Sequence, residues 1–257
     1  MLTLEAARAL QLEAELCGDE VIFDEGVPLV SPAPAVAAPM PAMQPVPRPK
    51  ASLQSLSLQG HSPVAQAARQ LEEIRKIGSL DDFFTALEGF ALYVKEDGSP
   101  ATILPGAGPH PASLFLLAGR FQEEDFVQKA PFSGRTGAIL DELFRASSLS
   151  LNLCWKSALY KSRTPLGRPM LPREKNLFRD VVRKEIELVS PARILVLGAP
   201  ALEILFGKKT SPEEARELDF DGIPLDAILH PVQLENDPAG REATLERLKA
   251  LERKIHA

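Results

Sequence analysis

The chain has 257 residues, 45% of them hydrophobic and 25% charged, enough for one sizeable α/β domain with appendages. Its formal net charge of −6 argues against a dedicated nucleic-acid binder, because such proteins are more often basic. No run of about eighteen apolar residues occurs, so no membrane-spanning helix is expected.

The opening residues carry acids early and lack a basic start followed by an apolar block, so no secretory signal is expected. Cys17 and Cys154 lie far apart, which argues against a disulfide framework and for a reducing, cytoplasmic location. Residues 1–50 hold seven acids against Arg8, Arg48 and Lys50, a balance of −4, leaving only −2 for the rest. A local basic groove is compatible with that remainder.

In chain order, Leu2, Ala6, Ala9, Leu12 and Leu16 recur at helical spacing, and residues 1–26 read as a short amphipathic segment. It is either a fraying terminal helix or, over residues 2–25, a docking peptide for a protein partner. Residues 27–62 are rich in proline and alanine without periodicity, the pattern of a disordered linker. A folded domain is expected over 63–257. VAQAARQLEEIRKIG and SLDDFFTALEGFAL read as two helices, the second with Ser79 as N-cap.

From Ser113 strands and helices alternate. SLFLLAG, LNLCWKSALY, ARILVLG and LDAILHP read as strands. Helices fall between and after them at GRTGAILDELFRAS, PREKNLFRDVVRKEIELVS and APALEILFG, and a last one opens near Asn236 or Asp237 with Pro238 just inside. The expected fold is therefore a three-layer αβα sandwich around a mostly parallel, four-stranded sheet. Ligands bind such sheets at the carboxyl ends of the strands. Gly119-Arg120, Lys161-Ser162-Arg163 and His230-Pro231 stand there.

Four stretches carry a family likeness: SLFLLAG, APFSGRTGAILDELF, the block from KSRTPLGRP to LEILFG, and DAILHPVQLENDP. In this order and spacing they resemble the family-4 uracil-DNA glycosylases over roughly residues 75–256. The resemblance implies excision of a flipped-out uracil: an aromatic stacks on the base and an asparagine reads its edge. A histidine stabilises the departing uracilate, and a carboxylate orients water. Phe132 matches the aromatic, with Gly134 and Gly137 keeping its loop tight, and His230 matches the histidine as candidate catalytic residue.

Other matches fail. The carboxylate position falls on Gly119 or Arg120 within GRFQEED, and the asparagine position on Ala158. Glu123, Glu124 and Asp125 are the nearest substitutes for the acid. Arg120 either grips a phosphate or carboxylate or plugs the old pocket, the plug being the favoured alternative. Lys161 and Arg163 are candidate phosphate contacts, and Leu234 a candidate wedge into the base stack. Glu235 and Asp237 beside that wedge oppose DNA binding.

Two ligand positions of the four-iron cluster that the resemblance implies hold Ser162 and Phe178, which supply no thiolate. The expectation is no cofactor and no metal. Three functions stay open. One is a degenerate, non-catalytic or weakly active superfamily member binding nucleic acid or protein in DNA repair or replication. The second is an active glycosylase for uracil or another damaged base, and the third is a scaffold without DNA contact.

Overall fold

The computed structural model describes residues 62–95, 99–163, 170–212, 215 and 218–255. The expected terminal segment 1–26 and the linker 27–62 lie, apart from Ser62, outside the described residues.

Two helices open the domain. α1 (Pro63–Ile74) begins with proline in its first turn, where no intrahelical N–H is needed. α2 (Leu80–Glu88) is capped as expected: the Ser79 hydroxyl accepts from the Asp82 N–H at 3.2 Å. Along β1 (Leu114–Arg120) the side chains alternate between two cores, as the strand period requires. Phe115 and Leu117 join one apolar cluster, while Leu114, Leu116 and Ala118 join the other. β2 (Cys154–Tyr160) and β3 (Ile194–Leu197) flank β1 on either side, both parallel to it.

Between them α3 (Glu123–Gln128) and α4 (Arg135–Ala146) follow β1, and α5 (Pro172–Val189) follows β2. α6 (Ala199–Phe206) then leads to the hairpin β4 (Leu218–Phe220) and β5 (Ile223–Ile228), and α7 (Pro238–Ile255) ends the domain. The strand order is β2-β1-β3-β5-β4, with only β4 antiparallel.

The three layers follow from the two cores. Val182, Ile186 and Val189 of α5 and Leu202 of α6 cover one face, and Leu140, Leu143 and Phe144 of α4 with Leu248 and Leu251 of α7 cover the other. α1 and α2 form a third cluster against the outer side of α5, through Leu71, Phe83, Phe178 and Val181. The αβα fold is as expected, with five strands in place of four. The extra strand is a three-residue edge turned by Asp221 and Gly222, whose φ values are 54° and 83°. Asp-Gly is the favoured pair for such a tight hairpin, but three residues are too few to show alternation.

Candidate functional site at the strand ends

The chain leaves β1 towards β2 on one side and returns to β3 on the other, which makes the ends of β1 and β3 the switch point where open α/β sheets form their ligand crevice. Arg120 ends β1, Gly198 follows β3, and His230 follows β5.

The loop between α3 and α4 walls this crevice. Phe132 sits there with φ 54°, a left-handed backbone that costs a bulky residue about 1–3 kcal/mol. Neighbouring groups impose it. Asp125, 1% exposed, accepts from the Ser133 N–H at 2.8 Å and its hydroxyl at 3.2 Å through Oδ1, and from the Gln122 N–H at 2.9 Å through Oδ2. Gly137 is obligatory, because a Cβ there would lie 1.6 Å from the Phe132 carbonyl oxygen. At Gly134, the N-cap of α4, a Cβ would press to 2.6 Å on Glu124 Cβ. Gly119, by contrast, has open space around it.

Phe132 does not offer its ring to the crevice. It is buried, and Phe121 meets it edge-on at 6.0 Å between centroids. Phe121, also buried, packs against Leu104 and the fully buried Ala158, with Phe126 at 6.4 Å. Phe121 thus touches Phe132 on one hand and the cluster holding Ala158 on the other. Sequence reasoning placed the plug at Arg120, one residue away. Arg120 is exposed instead, because strand alternation sends adjacent side chains to opposite sides. Phe121 went unnoticed because a phenylalanine after a strand looks like ordinary core.

His230 is half-buried, and its backbone N–H donates to Gln233 Oε1 at 3.2 Å. Burial, and then the positive charge of Arg120, hold its imidazole below the usual range, favouring the neutral ring. A Cβ at Gly198 (φ 88°) would come to 3.2 Å from His230 Cβ, so β3 and β5 stay close only with glycine there.

Lys161 corrects an expectation. It was read as a phosphate contact, yet it is fully buried and pairs with the equally buried Glu185 at 2.6 Å. Its ammonium also donates to Ser157 Oγ at 2.8 Å and the Ala158 carbonyl at 2.7 Å. Glu185 accepts from Trp155 Nε1 and Ser157 Oγ, each at 2.9 Å. Trp155 and Ser157, alternate residues of β2, and Lys161 just beyond its end converge on this one carboxylate of α5. Arg163 is exposed, pairs with Glu123 at 2.5 Å and lies 5.5 Å over the Phe126 ring. Neither Glu123 nor Asp125 is thus a free acid, and Asp125 is held as a clamp.

Two cavities lie away from these groups. One of about 350 Å³ is lined by β5 and α7, and one of about 310 Å³ is lined by Val64, Leu92, Tyr160, Met170 and Phe178. Neither includes Arg120, Phe132 or His230.

No family model matches the chain. It is, however, 33% identical over 114 residues to the type-4 uracil-DNA glycosylase of Thermotoga maritima, covering 44% of this chain and 56% of that protein. It is 24% identical over 103 residues to the type-4 uracil-DNA glycosylase of Archaeoglobus fulgidus, covering 40% and 52%. The chain is related to the type-4 uracil-DNA glycosylases. It spans about half the length of the curated relatives it matches.

The iron–sulfur cluster implied by likeness to family-4 uracil-DNA glycosylases can be tested against the residues at its positions. Phe178 is buried among the rings of Tyr160, Tyr93 and Phe90, at 4.9, 5.6 and 6.5 Å. Ser162 is buried, with its hydroxyl unpartnered among the described residues. Cys154 begins β2, at the opposite end of that strand from Ser162, and burial pushes its thiol up to about 12. Among the described residues no group of three or more His, Cys, Asp or Glu side chains converges. This donor set does not fit a cluster that requires thiolates.

The loop after His230 differs from the expected wedge. Leu234 is 1% exposed and packs into the α4–α7 core, whereas Val232 is 40% exposed at the surface. The turn Pro231–Glu235 is a 3-10 helix, and its three-residue period carries Leu234 inward. The neighbouring acids are engaged: Glu235 pairs with Arg135, and Asp237 Oδ1 accepts from the Gly240 N–H at 2.9 Å. No helix among the described residues is long and apolar enough to cross a membrane.

Proposed function

We propose that the chain is a uracil-DNA glycosylase-superfamily protein with degenerate catalytic motifs, which binds nucleic acid in DNA repair or replication without excising uracil. The observation that carries this reading is the buried Phe121 ring, edge-on to Phe132 and packed with Ala158. A flipped base needs a stacking face and a hydrogen-bonding partner. Here Phe132 is buried against Phe121, and the partner position holds a methyl group. Loss of a positioned acid or base typically costs about 100- to 10,000-fold in rate, and Asp125, the nearest buried carboxylate, is committed to the loop.

In the same reading the domain carries no iron–sulfur cluster, its place being taken by the Phe178 ring cluster. The test is incubation of the purified protein with uracil-containing single- and double-stranded oligonucleotides, followed by alkaline cleavage at abasic sites. The expected result is intact strands and an iron-free, colourless preparation. Released uracil at a rate near that of the relatives would end the proposal.

An active glycosylase for another base is the second reading, favoured by the strained Phe132 backbone and the neutral His230 ring. Strand cleavage in the same assay on a damaged-base panel supports it.

A further inference from the structure

We propose that Arg120 and His230 frame a phosphate site at the crevice between β1 and β3, which takes the backbone of a nucleic-acid strand rather than a base. This deepens the nucleic-acid-binding reading above and rests on it.

The first support is electrostatic. Arg120 is exposed and has no ion-pair or hydrogen-bond partner among the described residues. Of the acids nearby, Glu123 pairs with Arg163 and Glu235 with Arg135, while Asp125 and Asp237 accept hydrogen bonds from the neutral donors of Gln122, Ser133 and Gly240. Glu124 remains, with its stem packed under Gly134. In a chain of net charge −6, Arg120 thus stands without a bonded counter-ion at the place where open parallel sheets bind ligands.

The second support is chemical and steric. A guanidinium presents a planar fork of donors that matches two phosphate oxygens. A neutral imidazole beside it supplies one N–H donor, and an arriving anion offsets the Arg120 charge that His230 feels. Gly198 has no side chain to obstruct the approach. The buried Phe121 denies entry to a base but leaves the rim open, so recognition stops at the backbone.

The experiment measures affinity for a uracil-free single-stranded oligonucleotide by fluorescence anisotropy across a salt series. Each neutralised phosphate contributes about 0.7 to the log–log salt slope on single strands. Arg120→Ala should lower the slope by about that amount, and Arg120→Lys should retain most of it. The control is Arg145→Ala, which removes the same charge from the last turn of α4. That turn lies about 15 Å along the helix from its crevice end. It should leave the slope unchanged. Equal losses in the Arg120 and Arg145 variants would reduce the effect to bulk charge and overturn the site.

A second arm titrates inorganic phosphate while histidine-ring NMR follows His230. Its resonances should move in the wild type and stay still in Arg120→Ala. Phosphate binding without oligonucleotide binding retains the site for free phosphate and removes the nucleic-acid reading. Silence in both arms removes the site itself.

Discussion

The two flanks of β1 have been built in opposite senses. On the β2 side, the buried charges are matched: Lys161, Glu185, Ser157 and Trp155 close one network, and Phe178 sits in a ring cluster behind it. On the β3–β5 side, Arg120 stands exposed beside a half-buried His230 and a bare glycine. The first flank is core, with rings and an ion pair filling the space. The second shows what remains addressable, because a charge without a bonded counter-ion at a strand end has no structural duty.

If the β2 flank is core, breaking its network has the largest effect. Lys161→Met leaves the Glu185 carboxylate buried without its counter-ion, and urea denaturation should show a loss of about 3–5 kcal/mol. The double variant Lys161→Met/Glu185→Leu should recover most of that loss, because no charge stays buried. Equal costs for the single and double variants would show that packing, not charge pairing, holds this flank.

The wall between the flanks comes next. Gly137→Ala forces a methyl against the Phe132 carbonyl and should destabilise by about 1–3 kcal/mol. Near-UV circular dichroism should report the displaced ring.

On the open flank the effect is smaller and depends on pH. Because His230 is held below its unfolded value of about 6.5, the unfolded chain binds the proton more readily. Stability contributed at this position is therefore complete above that value and falls as pH drops from it towards the lowered folded value. Denaturation of wild type against His230→Gln from neutral to acid pH should show the wild type losing ground only in that window. A flat difference would mean that the ring is neither buried nor repelled.

The smallest effect belongs to the rim. Glu123→Gln breaks an exposed pair with Arg163 and should change stability by no more than about 1 kcal/mol. It should also tighten oligonucleotide binding slightly by freeing that arginine.

Much of this could be read before the structure. Alternating apolar strands, the Ser79 cap and the Asp237-Pro238 start of α7 are local patterns, and each appears where expected. The six-residue α3 and the three-residue β4 escaped because they are too short for periodicity to register. Lys161 and Leu234 misled for a common reason. Their residue types suggested a surface cation and an exposed wedge, while side-chain direction placed both inside.

From the residues alone came the layer architecture and the family likeness, along with the expectation that the asparagine and thiolates are missing, since each depends on residue identity at a known spacing. Only the tertiary structure decided that Phe121 fills the space beside Phe132, that Lys161 spends its charge on Glu185, and that Arg120 keeps its own. Burial and pairing are set by what arrives from elsewhere in the chain. Glu185 lies 24 residues beyond Lys161, and no local pattern announces that meeting.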